Sequence, residues 1–384
     1  PGVMDAHAAR VDAFERSPIR VMFDMAAEAE RNGDDPVRLE VGEPDFNTPA
    51  HVTRAAFEAA RDGATDYTES TGIEPLRTAI ADRLATYGVD HSPEDVVVTT
   101  GGMEALHVTD LAIVDPGEEV VVPTPAWPNY EIHAALADGS VQSVPMPPPY
   151  DLDADRVIEA MGPKTAAVLL TSPSNPTGRV YDPEPVRAVA EAAADHDTYV
   201  IADEVYAGLT FDREPQGVAG MVDDARHVIT VGSMSKTHAM TGWRLGWLAA
   251  VPSVVEATTA VREATTSCPA APAQHAAVEA LTNADEAERR MYESFRDRRD
   301  YVADRLAAID GVSAPRPQGA FYAFVDIEGE DDGLAAAKRL WRDGNVALAP
   351  GTAFTDDPHG RVRLSFANSM DRLEEGLDRI EATV

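Results

Sequence analysis

Short runs of β-branched residues alternate with segments of helical spacing from about residue 93 onward. The runs predict strands at 96–99, 120–122, 166–171, 199–202, 228–231 and 245–250. Helical spacing predicts helices at 102–113 and 183–194 between them. Strands that are apolar throughout and alternate with helices are typical of a largely parallel sheet buried on both faces. This part of the chain therefore predicts an α/β domain.

The pattern changes after Pro272. A long, charged helical stretch runs toward residue 306, and the next segments predict a strand at 320–327, a helix at 333–342, a strand at 362–366 and a final helix from 371. This order favours a smaller α+β domain. We expect the amino-terminal segment to join it, so that the α/β domain is inserted between the two parts.

The chain has 384 residues and a formal net charge of −34, from 32 basic and 66 acidic side chains. Such an acidic surface repels phosphate, which excludes a nucleic-acid-binding protein. No uncharged apolar stretch approaches the roughly 20 residues of a membrane span, and residues 1–5 do not resemble the start of a secretory signal, so we expect a cytoplasmic protein. Cys268 is the only cysteine, which rules out an internal disulfide and a thiolate metal cage, and no metal site is predicted.

The acidity is accompanied by a scarcity of lysine, since only Lys164, Lys236 and Lys338 occur in the chain. Carboxylates at this density repel one another at low salt, where the Debye length is about 30 Å at 0.01 M. We therefore predict a halophilic protein, from a salt-rich cytoplasm.

A segment rich in small hydroxyls begins where the strand 228–231 ends. In open α/β sheets, ligands bind beyond the carboxyl ends of the strands. A desolvated lysine such as Lys236 can lose its proton and react with a carbonyl carbon, and Ser233, Ser235 and Arg244 together suit a phosphate. An ordinary surface lysine after a strand is the alternative, and both interpretations stay open on these residues alone.

Asp203 and Tyr206 follow the strand 199–202. Asp203 could hold the protonated ring nitrogen of a pyridine cofactor, and Tyr206 could donate a hydrogen bond to a phenolate oxygen. The alternative for Asp203 is a strand-end carboxylate that caps a turn.

Two loops after strands carry further candidate residues. Asn175 lies where two X-Pro steps favour a rigid, extended loop that could present its amide, although a plain turn is the alternative. Gly101 and Gly102 open a predicted helix after the strand 96–99, and the free amide groups at such a helix start can bind a phosphate.

Taken together, the chain resembles the fold-type I aminotransferases that use pyridoxal 5′-phosphate (PLP), class I/II, in the aspartate-aminotransferase-like branch of bacteria and archaea. The motifs that carry the resemblance are SPIR (17–20), GEPDFNTP (42–49), YT (67–68), GG (101–102), NPTG (175–178), DEVY (203–206), SMSK followed by GWR (233–244), GAFY (319–322) and VRLSFA (362–367). Each motif alone is common, but their order and spacing are specific and run nearly from end to end.

The resemblance implies a large central domain with a mostly parallel seven-stranded sheet and a smaller α+β domain formed by both termini. It places an amino-terminal arm and part of the small domain at 1–47, the large cofactor-binding domain at 48–285 and the small carboxy-terminal domain at 286–384.

It also implies three catalytic residues. Lys236 would carry PLP as a Schiff base and move the proton at the substrate Cα, and Asp203 would keep the pyridine nitrogen protonated. Tyr206 would donate to the 3′-oxygen of PLP alongside Asn175, and Trp127 would stack on the ring.

The remaining roles concern the phosphate, the substrate and the partner subunit. The residues implied around the phosphate are the amides of Gly102 and Met103, with Ser233, Ser235 and Arg244. Arg363 would clamp the substrate α-carboxylate, with contacts from Gly42 and Asn175. Tyr67 would reach the phosphate of a neighbouring subunit, which implies a homodimer with shared active sites.

The implied function is the transfer of an amino group from an L-amino acid to a 2-oxo acid, with 2-oxoglutarate expected, by a ping-pong mechanism. A PLP-dependent lyase of the same fold and a catalytically silent binding protein are the alternatives. Aspartate, alanine and an aromatic amino acid all stay open as donors, because a dicarboxylate would need a second cation that the sequence does not identify. Met103 departs from the polar residue, and His238 from the aromatic one, that relatives often carry, and we predict a packing role for His238.

Overall fold

The computed structural model describes residues 17–356 and 359–384 of the chain. In those residues the α-helices are Pro18–Arg31, Ala50–Arg61, Glu74–Thr86, Gly102–Ile113, Asn129–Leu136, Ala154–Ala160, Pro183–Asp195, Pro252–Thr265, Ala271–Asn283, Asp285–Ala308, Gly333–Gly344 and Met370–Thr383. The strands are β1 (Val37–Arg38), β2 (Val96–Thr99), β3 (Glu119–Thr124), β4 (Ser140–Pro145), β5 (Thr165–Thr171), β6 (Tyr199–Asp203), β7 (Val228–Ser233), β8 (Gly246–Ala249), β9 (Val312–Ser313), β10 (Tyr322–Ile327), β11 (Val346–Ala347), β12 (Ala349–Pro350) and β13 (Arg361–Ser365). No helix within these two ranges is both long enough and apolar enough to cross a membrane.

Seven strands form the central sheet, in the order β2-β8-β7-β6-β5-β3-β4. Strand β8 is antiparallel to β2 and β7, and the other neighbours pair in parallel. Val97 packs into one apolar cluster and Val96 and Val98 into another, as the two-residue period of a strand requires when helices cover both faces. Each such valine contributes about 1.5–3 kcal/mol by its burial. The predicted α/β fold with a mostly parallel seven-stranded sheet is confirmed.

Strand β4 is the one strand of this sheet that the apolar pattern does not reveal. Ser140, Gln142 and Ser143 interrupt its apolar residues, and most of its side chains are partly or fully exposed. The strand lies at an edge of the sheet, next to β3. An edge strand is open to solvent on one side, so polar residues are tolerated there.

The stretch predicted as one long helix toward residue 306 is two helices, Ala271–Asn283 and Asp285–Ala308. They are separated at Ala284, whose φ of −106° and ψ of 12° leave the helical region. Asp285, Glu286 and Glu288 occupy the first turn of the second helix, where carboxylates interact favourably with the helix dipole.

Residues from both ends of the described chain pack together. Strand β1 pairs in parallel with β11, Val37 opposite Val346, and a four-stranded antiparallel sheet has the order β12-β13-β10-β9. Met22 and Leu39 share one apolar cluster with Leu373. This packing supports the expected smaller unit. The boundaries 1–47, 48–285 and 286–384 stay a proposal, and residues 1–16 of the predicted arm lie outside the described residues.

The polar segments that follow the strands meet at one edge of the central sheet. Strands β5, β6 and β7 are parallel, and Thr171 lies opposite Asp203. Because β2 and β7 are both antiparallel to β8, they run in the same direction, and Gly246 pairs with Thr99 on one side and Ser233 on the other. The loops after these four strands are therefore neighbours in space.

Candidate active site

A cavity of about 630 Å³ lies at this edge of the sheet. The predicted site residues that line it are Gly42, Gly102, Met103, Trp127, Asn175, Asp203, Tyr206, Ser233, Ser235, Lys236, Arg244 and Arg363. Tyr67 is absent from this lining and is 87% exposed on the single chain. His238 is buried outside the lining, and its Nδ1 lies 2.7 Å from Glu288 Oε1. Its predicted packing role stays a prediction.

Lys236 follows β7 and is surrounded by protein. Its Nζ donates a hydrogen bond to the Gly42 carbonyl oxygen at 2.6 Å, and it lies 5.9 Å from the centre of the Tyr206 ring. Burial, helped by the charge of Arg363, lowers the pKa of the Lys236 amine from 10.5 to about 8. A substantial fraction of the amine is therefore unprotonated in mildly alkaline solution, the form that attacks a carbonyl carbon.

Asp203 ends β6 and is 3% exposed. Its Oδ2 accepts a hydrogen bond from the Tyr130 hydroxyl at 2.6 Å, and its Oδ1 accepts one from the Val205 amide at 3.3 Å. The Tyr130 oxygen is also 2.8 Å from Thr171 Oγ1. Burial raises the pKa of the Asp203 carboxyl, and the hydrogen bond from Tyr130 acts in the opposite direction. A cationic ring N–H in the cavity would stabilise the charged form of this carboxylate.

Arg363, on β13, reaches the cavity from the smaller sheet. Its Nη1 donates to Asn175 Oδ1 at 3.0 Å and its Nη2 donates to the Glu40 carbonyl oxygen at 2.7 Å. The guanidinium carbon lies 4.4 Å from the centre of the Tyr322 ring. Its buried Nε has no hydrogen-bond partner among the described residues. The group thus contacts neutral oxygens and ring faces, an arrangement suited to an incoming carboxylate.

Tyr206 and Tyr322 place two hydroxyls between Lys236 and Arg363, with 2.9 Å between their oxygens. Burial raises the pKa of Tyr206 well above its usual value, so its phenol stays protonated. A protonated hydroxyl can donate to an oxygen anion in the cavity.

The opposite part of the cavity collects hydrogen-bond donors. Gly101 has φ +83°, and a Cβ there would lie 2.6 Å from Arg244 Nη2. The first amides of the helix Gly102–Ile113 have no acceptor within the helix. The Ser235 amide donates to Ser233 Oγ at 3.0 Å, and the Ser233 hydroxyl donates to the Leu245 carbonyl oxygen at 3.2 Å, so both residues are held in place beside the helix start. The free amides of the helix start, the Ser235 hydroxyl and the Arg244 guanidinium are suited to bind a dianionic phosphate, and we call this group the phosphate cradle.

The sequence did not predict several of the residues that line the cavity, among them Tyr130, Glu40 and Phe23. Tyr130 lies three residues after Trp127, and their rings pack edge to face with 5.5 Å between the ring centres. Nothing in the sequence, however, indicates that Tyr130 contacts Asp203, which lies 73 positions further along the chain. Tyr322 stands in one of the recognised motifs, but no role was predicted for it.

The donors and acceptors of the cavity fit PLP. A phosphate matches the cradle at Gly102 and Arg244, a protonated pyridine nitrogen matches the buried carboxylate of Asp203, and a carbonyl carbon matches the desolvated amine of Lys236.

The chain belongs to the class I and II aminotransferases. The family model described as "Aminotransferase class I and II" matches residues 34–380. The chain is thus a fold-type I, PLP-dependent aminotransferase, as the resemblance predicted.

Two relatives and one solved structure show how close the similarity is. The aspartate/prephenate aminotransferase of Thermus thermophilus is 39% identical over 378 residues, which cover 96% of each chain. The aspartate aminotransferase of Thermotoga maritima is 38% identical over 370 residues, which cover 95% of this chain and 96% of the relative. The structure titled as aspartate aminotransferase from Thermus thermophilus with maleate matches with a TM-score of 0.94 at 38% identity, covering 99% of this chain and all of that one.

Proposed function

We propose that the protein transfers the amino group of an L-amino acid to 2-oxoglutarate by a ping-pong mechanism, with PLP held on Lys236 as a Schiff base between turnovers. The observation that carries the proposal is that three groups meet in one cavity: a desolvated lysine, a buried carboxylate, and a buried guanidinium for which the described residues provide no carboxylate partner. One relative is named as an aspartate/prephenate aminotransferase, so aspartate and prephenate are candidate substrates of this protein.

Asp203 holds the pyridine end of the cofactor in this account. When bound, PLP supplies a carbonyl carbon that takes the amino group and a ring that accepts the electron pair released at the substrate Cα. Asp203 stabilises a proton on the ring nitrogen, and Tyr130 and the Val205 amide hold the carboxylate in place. Tyr206 and Asn175 donate to the ring oxygen.

Lys236 moves the proton in this account. Its amine would take the proton from the substrate Cα and would deliver it to the cofactor. General acid–base catalysis of this kind contributes about 10²–10⁴-fold to a rate. The surrounding tyrosine and phenylalanine rings keep the amine desolvated, which favours the neutral base.

Arg363 and Gly42 orient the substrate. The guanidinium of Arg363 binds the α-carboxylate through two parallel hydrogen bonds, a geometry for which arginine is better suited than lysine. Its contacts to Asn175 and to the Glu40 carbonyl fix its plane before the substrate arrives. Gly42 brings its backbone against Tyr322, since a Cβ at Gly42 would lie 2.8 Å from the Tyr322 hydroxyl.

We further propose a homodimer in which Tyr67 completes the phosphate site of the partner subunit. The exposure of this large side chain on the single chain and its absence from the chain's own cavity support the proposal. The cytoplasmic location and the salt-rich environment expected from the sequence stay predictions.

The decisive assay incubates the holoenzyme with a ¹⁵N-labelled amino acid and 2-oxoglutarate. Transfer of the label to glutamate supports the proposal, whereas release of labelled ammonia without consumption of 2-oxoglutarate would contradict it. Lys236→Ala is expected to abolish the transfer, and Lys338→Ala, which changes an exposed lysine of the helix Gly333–Gly344, serves as the matched control.

A further inference from the structure

A buried arginine connects the loop 67–73, which we call the Tyr67 loop, with the helix that begins at the phosphate cradle. Arg262 is fully buried. Its Nη1 donates a hydrogen bond to the Ser70 carbonyl oxygen, and its Nε lies 3.5 Å from Glu104 Oε2. Glu104 belongs to the first turn of the helix Gly102–Ile113. A single guanidinium thus contacts both the Tyr67 loop and this helix.

Glu104 fixes the backbone that leads into the phosphate cradle. Its Oε2 accepts a hydrogen bond from the Thr100 amide, and its Oε1 accepts one from the Thr266 hydroxyl. Thr100 directly precedes Gly101, the N-cap of the helix, so this hydrogen bond holds the chain where it enters the first turn. Glu104 therefore links Arg262 to the amides that we propose bind the phosphate of the chain's own cofactor.

A backbone hydrogen bond joins the same two parts of the chain. The Val98 amide, on β2, donates to the Thr71 carbonyl oxygen at 2.9 Å. A Cβ at Gly72 would lie 2.5 Å from Val98 Cγ2, so the loop lies directly against the strand. Strand β2 ends at Thr99 and leads into the cradle. The Tyr67 loop is thus attached to the cradle through β2 as well as through Arg262.

We propose that Arg262 and Glu104 are positioning residues that hold the Tyr67 loop and the phosphate cradle as one unit, so that the pair in each subunit supports cofactor binding in both sites of a homodimer. The inference rests on the proposed function, because it uses the homodimer in which Tyr67 completes the phosphate site of the partner subunit. Each subunit then provides the cradle of its own site and the loop of the other site.

The physical reason is conformational entropy. A loop that is held in place before the cofactor arrives loses little conformational freedom when Tyr67 contacts the phosphate. Without Arg262 or Glu104 the loop is held less firmly, and that freedom is lost on binding instead. Loosening the loop in one subunit therefore weakens cofactor binding in the other subunit, whose own residues are unchanged.

Mixed dimers with one functional site test this connection. One subunit is unmodified, and the other carries Lys236→Ala together with either Arg262→Met or Glu104→Gln. Only the unmodified subunit then has the lysine that forms the Schiff base, and all its own residues are native. Titration of the PLP-free mixed dimer with PLP, followed by the visible absorption of the Schiff base, gives the dissociation constant of that site.

The reference is the mixed dimer in which the second subunit carries Lys236→Ala alone. We expect the dissociation constant to rise about 3- to 10-fold above the reference with either variant, the range typical of ordering one additional side chain on binding. At saturating PLP the rate of amino-group transfer should return close to the reference, because the functional site keeps its catalytic residues. Glu104→Gln keeps the shape of its side chain, so it decides the test alone if Arg262→Met does not fold.

Glu256→Gln, added to the Lys236→Ala subunit, is the matched control. It neutralises an exposed carboxylate on the helix Pro252–Thr265, which also carries Arg262. We expect it to leave the dissociation constant at the reference value.

Tyr67→Phe, added to the Lys236→Ala subunit, separates the inference from the proposed function. It should raise the dissociation constant about tenfold or more, because one hydrogen bond to a charged group is lost. If it does so while a folded Arg262→Met or Glu104→Gln subunit leaves the constant at the control value, the inference is overturned and the shared site stands. If Tyr67→Phe has no effect, the shared site is overturned and the inference with it.

Discussion

At the scale of single residues, Lys236 owes its reactivity to its surroundings. Burial is the largest cause of its lowered pKa, and the positive charge of Arg363 is the second. The Gly42 carbonyl, 2.6 Å away, holds the amine in place within the cavity. The charge of Arg363, for which we propose a role in binding the substrate carboxylate, thus also lowers the pKa of the lysine that we propose carries the cofactor.

The rate at which the cofactor-free protein binds PLP should therefore follow the ionisation of Lys236. Because only the neutral amine attacks, we expect the rate to rise with pH and to level off above a midpoint near pH 8, the pKa of this amine. In Arg363→Met the midpoint should move to higher pH, because the charge that lowers the pKa is gone. Stopped-flow absorbance measures both profiles, and a midpoint near 10.5, the ordinary value for lysine, would show that the amine is solvated.

Glu204, the neighbour of Asp203, is a buried carboxyl that the proposed chemistry does not use. Its Oε1 accepts a hydrogen bond from the Val218 amide at 2.6 Å, while its Oε2 is buried with no partner among the described residues. Burial raises the pKa of Glu204 from 4.5 to about 8. The folded protein therefore holds this proton more tightly than the unfolded chain does.

The free energy of unfolding should depend on pH because the pKa of Glu204 differs between the folded protein and the unfolded chain. As pH rises from 4.5 to about 8, the unfolded chain ionises Glu204 freely and the folded protein does not, so this group progressively destabilises the fold. Glu204→Gln cannot ionise, so its advantage over the unmodified protein should grow by up to about 1.4 kcal/mol per pH unit in this range. Denaturant unfolding at several pH values measures the trend, with the exposed Glu214→Gln as the control. An advantage that does not change with pH would refute this account of Glu204.

At the scale of secondary structure, the start of the helix Gly102–Ile113 forms part of the proposed phosphate cradle. Gly101, at the N-cap, has φ +83° and ψ 164°, a region of backbone space that is essentially restricted to glycine. Arg244 comes close to it and has a left-handed backbone itself, with φ 54°. The two elements fit together because Gly101 has no side chain.

Gly101→Ala should therefore weaken the binding of PLP. The added Cβ would lie 2.6 Å from Arg244 Nη2 and would displace the guanidinium from the cradle. We expect the dissociation constant to rise about tenfold or more, since one hydrogen bond to a charged group contributes about 1.5–3 kcal/mol. Gly162→Ala is the matched control, because a Cβ at Gly162 meets no atom within 4 Å. Fluorescence titration gives both constants, and equal affinities would exclude the cradle.

The sequence predicts the elements whose patterns are local and misses those that depend on their neighbours. Strand β5 is mostly apolar and β7 begins with the β-branched run 228–231, so the prediction of these two strands needed no knowledge of the fold. The break at Ala284 was missed because alanine favours helix, although the backbone of this residue leaves the helical region.

In the candidate site, too, the residues in local sequence motifs were predicted, and the residues placed by contacts between distant parts of the chain were not. Lys236, Asp203 and Arg363 stand in motifs with recognisable order, and the structure brings all three to one cavity. Tyr130 and Phe23 were not predicted, because their positions depend on contacts between distant parts of the chain.

At the scale of the whole molecule, the loop that carries Tyr67 is firmly braced. Gln274 Nε2 donates to Thr68 Oγ1 at 2.9 Å, and Gln274 Oε1 accepts from the Ile73 amide at 2.8 Å. The fully buried Arg262 donates to the Ser70 carbonyl oxygen from the other side. A rigid loop that presents an exposed tyrosine is suited to enter the site of a second subunit.

Mixed dimers test this assembly. When a Tyr67→Phe subunit pairs with a Lys236→Ala subunit, the site with an intact Lys236 receives an intact Tyr67 from its partner. The mixed dimer should therefore be more active than the average of the two parent dimers, because one complete site is restored. Purification with two different affinity tags isolates the mixed species for assay. Activity no higher than that average, or a fully active monomer in sedimentation, would contradict the shared site.

The central claim is that Lys236 carries the cofactor of this aminotransferase, and the most direct measurement is chemical trapping. The holoenzyme is reduced with borohydride, which fixes the cofactor to the amine that holds it, and is then digested and mapped by mass spectrometry. Only three lysines occur in the chain, so the assignment has three outcomes on lysine. We predict the pyridoxyl group on the peptide that contains Lys236. A pyridoxyl group on Lys164 or Lys338, or no lysine adduct at all, would contradict the account.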